Sequence, residues 1–139
     1  MELQKKMDLE AIEKRMLSLP QVECPVVHSF GPGLYIRELR MATGTLAMGH
    51  EQKFEHINIL AQGKILMLND DGSKTILEAP KTFVGKPGRK VGYVLEDIIW
   101  FNVYPTDETD IEKLENMYVE KSDTWEENKK LTGGKLCLS

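Results

Sequence analysis

The stretch from Gly44 to Gly63, GTLAMGHEQKFEHINILAQG, constrains this chain more than any other. Glycines bracket it, and two of the three histidines, His50 and His56, stand inside it. Residues two apart on a strand point to the same face, so His50 and Gln52 can look into one cavity. A turn near Lys53–Glu55 would carry the chain onto an adjoining strand, bringing His56 and Asn58 to that cavity as well. Two imidazoles and two amides converging between strands make a candidate ligand pocket. His50, His56 and Gln52 are also candidate donors for a single divalent ion. Imidazole suits Zn, Fe, Ni or Cu, whereas amides bind these ions weakly, and a firm site generally needs three or four good donors.

The surroundings of this segment read as β structure. Between about Val26 and Tyr104 lie short β-rich runs, among them LYIREL, HINILA, KILMLN and IIWFNVY, separated by Gly31-Pro32-Gly33, Gly44, Gly63, Asn69-Asp70-Asp71-Gly72 and Lys86-Pro87-Gly88. The run at 69–72 is a strong hairpin signal, because Asn, Asp and Gly tolerate the backbone that tight reversals need. Many short strands at such spacing predict a sandwich or barrel. In Trp100-Phe101-Asn102-Val103-Tyr104, alternation puts Trp100, Asn102 and Tyr104 on one face. That face either lines the pocket or meets the terminal helices, with Ile99, Phe101 and Val103 then forming the core.

Helical patterns flank the β region. Leu9, Ile12, Met16 and Leu19 recur at helical spacing, Glu10 and Lys14 can pair, and Pro20 follows. After Pro105, Thr109 and Glu112 form a capping-box pattern, and Ser122 and Asp123 can cap a second short helix carrying Trp125. The expected organisation is an N-terminal helix (1–20), a β-barrel (21–105) and a C-terminal helical extension and tail (106–139). The amphipathic flanking helices suit a homo-oligomer interface.

At 139 residues the chain fits one domain, and its net charge of −4 gives no general attraction to nucleic acid or to anionic membranes. Its longest apolar runs are too short to span a bilayer, which favours a cytoplasmic location. Cys24 and Cys137 lie far apart and offer neither a disulfide framework nor zinc spacing. The basic run Lys86–Lys90, KPGRK, could dock a phosphate or carboxylate, although solvated turn charges are the plainer reading. Tyr35 and Arg37 share a strand face and could supply a stacking ring and an anion donor, and His28 reads as structural or surface. No nucleophile–base set is legible.

The layout of Gly44, His50, Gln52, His56 and Gly63 resembles the first motif of the cupin superfamily: glycine, five residues, His-x-His, three or four residues, glutamate, six residues, glycine. In that frame Gln52 replaces the second histidine and His56 replaces the glutamate. The second cupin motif places a histidine soon after a Pro-x-Gly turn. Here Lys86-Pro87-Gly88 is followed by Arg89-Lys90-Val91-Gly92-Tyr93, and no histidine occurs after His56. The runs CPVVHSFGPGLYIREL, PGRKVGY and NVYPTDETDIEKLE further resemble small single-domain cupins encoded by tailed bacteriophages.

The resemblance implies a mainly β, single cupin-like jelly roll. With its ligand set depleted, it implies a non-enzymatic small-molecule-binding or structural protein of phage origin, a virion component or an accessory in the host cytoplasm. Its partners would then be a small polar molecule or other particle proteins. Two enzyme readings stand beside it. One is a metal-dependent oxygenase or isomerase using His50, His56 and a Fe, Ni or Zn ion. The other is a metal-free sugar isomerase or epimerase with a histidine base and Tyr93 or Tyr104 as acid.

Overall fold

The computed structural model describes residues 8–69 and 71–132, with side chains described as far as residue 127. The start of the first expected helix, Asp70 of the hairpin and the Gly133-Gly134 tail lie outside these residues. In chain order the elements are α1 (Leu9–Leu17), β1 (Val26–Gly31), β2 (Leu34–Met41), β3 (Leu46–Met48), β4 (Glu51–Gln52), β5 (His56–Leu68), β6 (Lys74–Glu78), β7 (Lys81–Gly85), β8 (Val91–Pro105), α2 (Ile111–Tyr118), β9 (Val119–Glu120) and α3 (Asp123–Thr132).

Two long antiparallel strands, β5 and β8, form the spine, and each changes partner halfway along. Residues 56–60 of β5 pair with β7, and residues 64–68 pair with β6. Residues 91–93 of β8 pair with β3, and residues 98–105 pair with β2, which pairs in turn with β1. The β5–β8 register slips between Leu60 and Ile65, around Gly63. The sheet therefore folds into two halves, β1-β2-β8-β5-β7 and β3-β8-β5-β6. Leu39, Leu60, Ile98 and Trp100 from the first half pack with Ala47, Ile65, Leu77 and Val94 from the second. Packing two inner sheet faces on one core is the architecture of a β-sandwich or jelly roll.

Gly63 makes the fold in the spine sterically feasible. It has φ +85°, and a Cβ at that position would stand 2.1 Å from the carbonyl oxygen of Asp97 on β8. Gly44, the other end of the bracketed segment, has φ +89°. At both glycines the requirement is a backbone one. The expected hairpin at 69–72 joins β5 to β6, with Gly72 at φ +84° and the Asn69 N–H donating to the Ser73 carbonyl at 2.8 Å.

The helices close one end of the sandwich. Leu9, Ile12 and Met16 of α1 pack with Trp125 of α3 against Met48 and Val91. Ser122 caps α3 as its sequence suggests, accepting from the Trp125 N–H at 3.1 Å. The cap of α2 is Asp110 instead of Thr109, its carboxylate accepting from the Lys113 N–H at 3.1 Å. The helix opens one residue later than the capping-box pattern places it, and an Asp at N-cap competes well with a Thr. Cys24, packed beside the core, is disulfide-bonded, which corrects the reading from cysteine spacing. Among the described residues no helix is long and apolar enough to cross a membrane.

Candidate functional site

The Gly44–Gly63 segment delivers its polar side chains to one buried place. Gln52 on β4 is held on both flanks: it pairs with Val119 of β9, and it exchanges backbone hydrogen bonds with Gly88 at 2.8 and 3.0 Å. The chain then turns through Lys53–Glu55, as expected, and enters β5 at His56. His50, Gln52, His56, Trp100 and Asn102 line a cavity of about 40 Å³, joined there by Lys90. His50, Gln52, His56 and Asn102 are each at most 9% exposed. Trp100, Asn102 and Tyr104 face inward, whereas Ile99, Phe101 and Val103 are only half-buried. The alternation on β8 is therefore that of a strand whose polar-bearing face is the interior one.

Asn58 and Tyr104 stand behind the lining and orient it. The Trp100 Nε1–H, a donor only, reaches Asn58 Oδ1 at 3.3 Å. That fixes the Asn58 amide, so Asn102 must present its Nδ2 to the same oxygen, at 2.7 Å. Asn102 Oδ1 is then left without a partner, although buried. The Tyr104 hydroxyl donates to Gln52 Oε1 at 3.0 Å and its ring stacks on His56 with centroids 5.4 Å apart. Burial pushes the Tyr104 hydroxyl above its ordinary pKa, keeping it a donor.

His56 has a defined tautomer. Its Nδ1 lies 3.1 Å from the Phe54 carbonyl, which can only accept, so Nδ1 carries the proton and Nε2 a bare lone pair. Nε2 is buried with the Asn58 amide beside it, whose hydrogen bonding partly offsets the effect of burial on the ring. Burial, assisted by the charge of Lys90, lowers the His56 pKa, so the ring is neutral near pH 7. The side chains of His56 and Asn58 lie across Gly85 of β7. A Cβ there would sit 2.4 Å from Asn58 Nδ2 and 2.7 Å from His56 Nε2. Gly85→Ala is expected to displace both side chains, cost about 1–3 kcal/mol, and move the Trp100 indole N–H resonance. An unchanged indole signal would show that the glycine is dispensable.

His50, in the cavity lining, also packs edge-on against Trp125 with centroids 4.8 Å apart, and the other candidates fall elsewhere. The Tyr35 hydroxyl and His28 Nδ1 share a hydrogen bond of 2.6 Å, and burial raises the Tyr35 pKa to about 12. Tyr35 also stacks on Tyr104, and Arg37 is half-buried two residues along β2. Tyr93 is 43% exposed and outside the cavity lining, so it is not placed to act as an acid there. The KPGRK turn divides in role. Lys86 is exposed as expected, Arg89 pairs with Glu13, and Lys90 is half-buried against the cavity. Met67 is a lining residue that sequence pattern did not single out, and Lys90 was legible only as part of the basic turn.

The donor set fits a divalent metal poorly. Among the described residues no group of three or more His, Cys, Asp or Glu side chains comes together. An amide ligates through oxygen, and Gln52 Oε1 already accepts from Tyr104. Two imidazoles beside a lysine and no lining carboxylate leave a cation without charge compensation.

No family model and no curated protein matches the sequence. Solved structures do resemble the fold. Ectoine synthase from P. lautus matches with TM-score 0.53 at 9% identity, over 76% of this chain and 83% of that one. Protein NMB1881 from Neisseria meningitidis matches with TM-score 0.51 at 8% identity, over 73% of this chain and all of that one. A cupin domain from Bordetella pertussis Tohama I gives TM-score 0.49 at 9% identity, over 63% of this chain and 98% of that one. Such identities speak to fold alone: the chain is a mainly β protein with a jelly-roll-type antiparallel sheet and helices at both ends.

Proposed function

We propose that this chain is a non-enzymatic binding protein whose cavity holds a small polar molecule. One observation carries the reading. Asn102 Oδ1 is buried, oriented by its neighbours and unpartnered, at a cavity its residue lines. A buried acceptor without a donor costs roughly 1–3 kcal/mol, so its persistence in a tightly ordered network favours a ligand or water that supplies the donor. A fragment screen followed by NMR tests it: at least one small polar fragment should shift the Trp100 indole and β5 amide signals. A screen that leaves those signals in place overturns the proposal.

The reading assigns no metal to the site. Elemental mass spectrometry on untagged protein, loaded with excess iron, nickel or zinc and then desalted, is expected to find well under one ion per chain. About one ion per chain, lost in the His50→Ala/His56→Ala double variant, would favour the metal-dependent oxygenase or isomerase reading instead. The runs that resemble tailed-phage cupins support an accessory or particle protein, acting in the host cytoplasm or virion. Ile57 and Val84, paired neighbours on β5 and β7, are 43% and 52% exposed, which supports assembly into a homo-oligomer.

A further inference from the structure

Resting on the binding reading above, we propose that the ligand is a small hydroxycarboxylate: its carboxylate faces Lys90, its hydroxyl donates to Asn102, and a short apolar tail runs outward along β7. The charge of the lining argues for the carboxylate. None of the described residues lining the cavity is acidic, and Lys90 takes part in none of the ion pairs of the described residues. A half-buried ammonium with no counterion is costly. Burial accordingly lowers the Lys90 pKa, and an anion beside it would relieve that cost.

The number and kind of charges favour a monoanion. Arg89, the neighbouring cation, is committed: its Nε donates to the Gly49 carbonyl at 2.8 Å and its Nη2 to Glu13. Lys86 is exposed. One partly desolvated lysine matches one carboxylate better than a phosphate dianion. The unpartnered acceptor Asn102 Oδ1 asks for a donor, which a carboxylate lacks and a hydroxyl has. A ligand ammonium would also donate, but it would face Lys90.

Size and shape supply the rest. At about 40 Å³ the inner cavity has room for roughly three water-sized groups, the number of oxygens in a hydroxyl and a carboxylate. Met67, Gly88 and Lys90 line both this cavity and an adjoining groove of about 440 Å³. Leu77, Phe83, Val84 and Pro87 give that groove an apolar side. Lys90 thus stands where a polar head would pass into an apolar tail.

The test is NMR titration of the full chain with four probes: 2-hydroxyhexanoate, hexanoate, 1,2-hexanediol and 1-amino-2-hexanol. 2-Hydroxyhexanoate should bind at least tenfold more tightly than each of the others. Lys90→Met, which keeps the apolar stem, should bring it to the level of the diol. If the diol or the amine binds as well as the acid, or the variant keeps the acid's advantage, the hydroxycarboxylate assignment falls while the binding reading stands. If hexanoate equals 2-hydroxyhexanoate, the role given to Asn102 falls. Should Lys90→Met fail to fold, the four wild-type affinities still decide. A fragment screen with no hit at all overturns the binding reading itself.

Discussion

Gly63→Ala is expected to lower the free energy of unfolding by roughly 2–5 kcal/mol, the sum of an overpacking cost of about 1–3 kcal/mol and a left-handed backbone cost of about 1–2 kcal/mol. The added methyl would meet backbone on the opposing strand: the Asp97 carbonyl oxygen at 2.1 Å, the Asp97 carbonyl carbon at 2.8 Å and the Glu96 oxygen at 2.8 Å. None of these atoms can rotate away as a side chain could. Relief requires β5 and β8 to separate where the sheet folds over its core, so the loss would spread to both half-sheets. Gly72→Ala is the internal control. Its φ is +84° but nothing lies within 4 Å of the new carbon, so it should cost only the backbone term, about 1–2 kcal/mol. Urea denaturation of the two variants separates clash from strain. Equal effects would show that the spine can open at Gly63 without loss.

The contrast explains why so much of the fold was legible in the sequence. Positive-φ glycines and turn residues act locally, so Gly44, Gly63 and the hairpin at Gly72 leave marks that sequence spacing preserves. The pocket was legible for a similar reason: period-two alternation places Trp100, Asn102 and Tyr104 together, and a short turn returns His56 beside Gln52. What alternation cannot supply is the order of the layers. Asn58 and Tyr104 share faces with lining residues, yet they stand behind them and set the amide orientations of Asn102 and Gln52. Lys90 is half-buried because β4 and the terminal helices close over its turn, a tertiary fact that a basic run does not encode. The capping residue of α2 slipped by one position because Thr109 and Asp110 are both acceptable caps and only packing chooses.

Glu13→Ala should destabilise the protein by about 3–5 kcal/mol, the range for removing one partner of a buried ion pair. Glu13 is spaced for the exposed side of an amphipathic helix, between Ile12 and Lys14, yet its side chain is 2% exposed and that of Arg89 12%. The carboxylate receives Arg89 Nη2 at 2.5 Å on one oxygen and the Ser122 hydroxyl on the other. Ser122 caps α3, and Arg89 also holds the Gly49 carbonyl next to His50, so one carboxylate ties α1, α3 and the cavity rim together. Removing it strands a guanidinium in a poorly solvated place. The double variant Glu13→Leu/Arg89→Met removes both charges and fills the space, so it should recover most of the loss. Thermal melts of the single and double variants, with hydrogen exchange on α1 and α3, distinguish the outcomes. Recovery in the double variant identifies an uncompensated charge as the cause. A double variant as unstable as the single would assign the loss to the missing ties among the helices, and would make this buried pair the clasp of the cavity's closed end instead of an interchangeable piece of its packing.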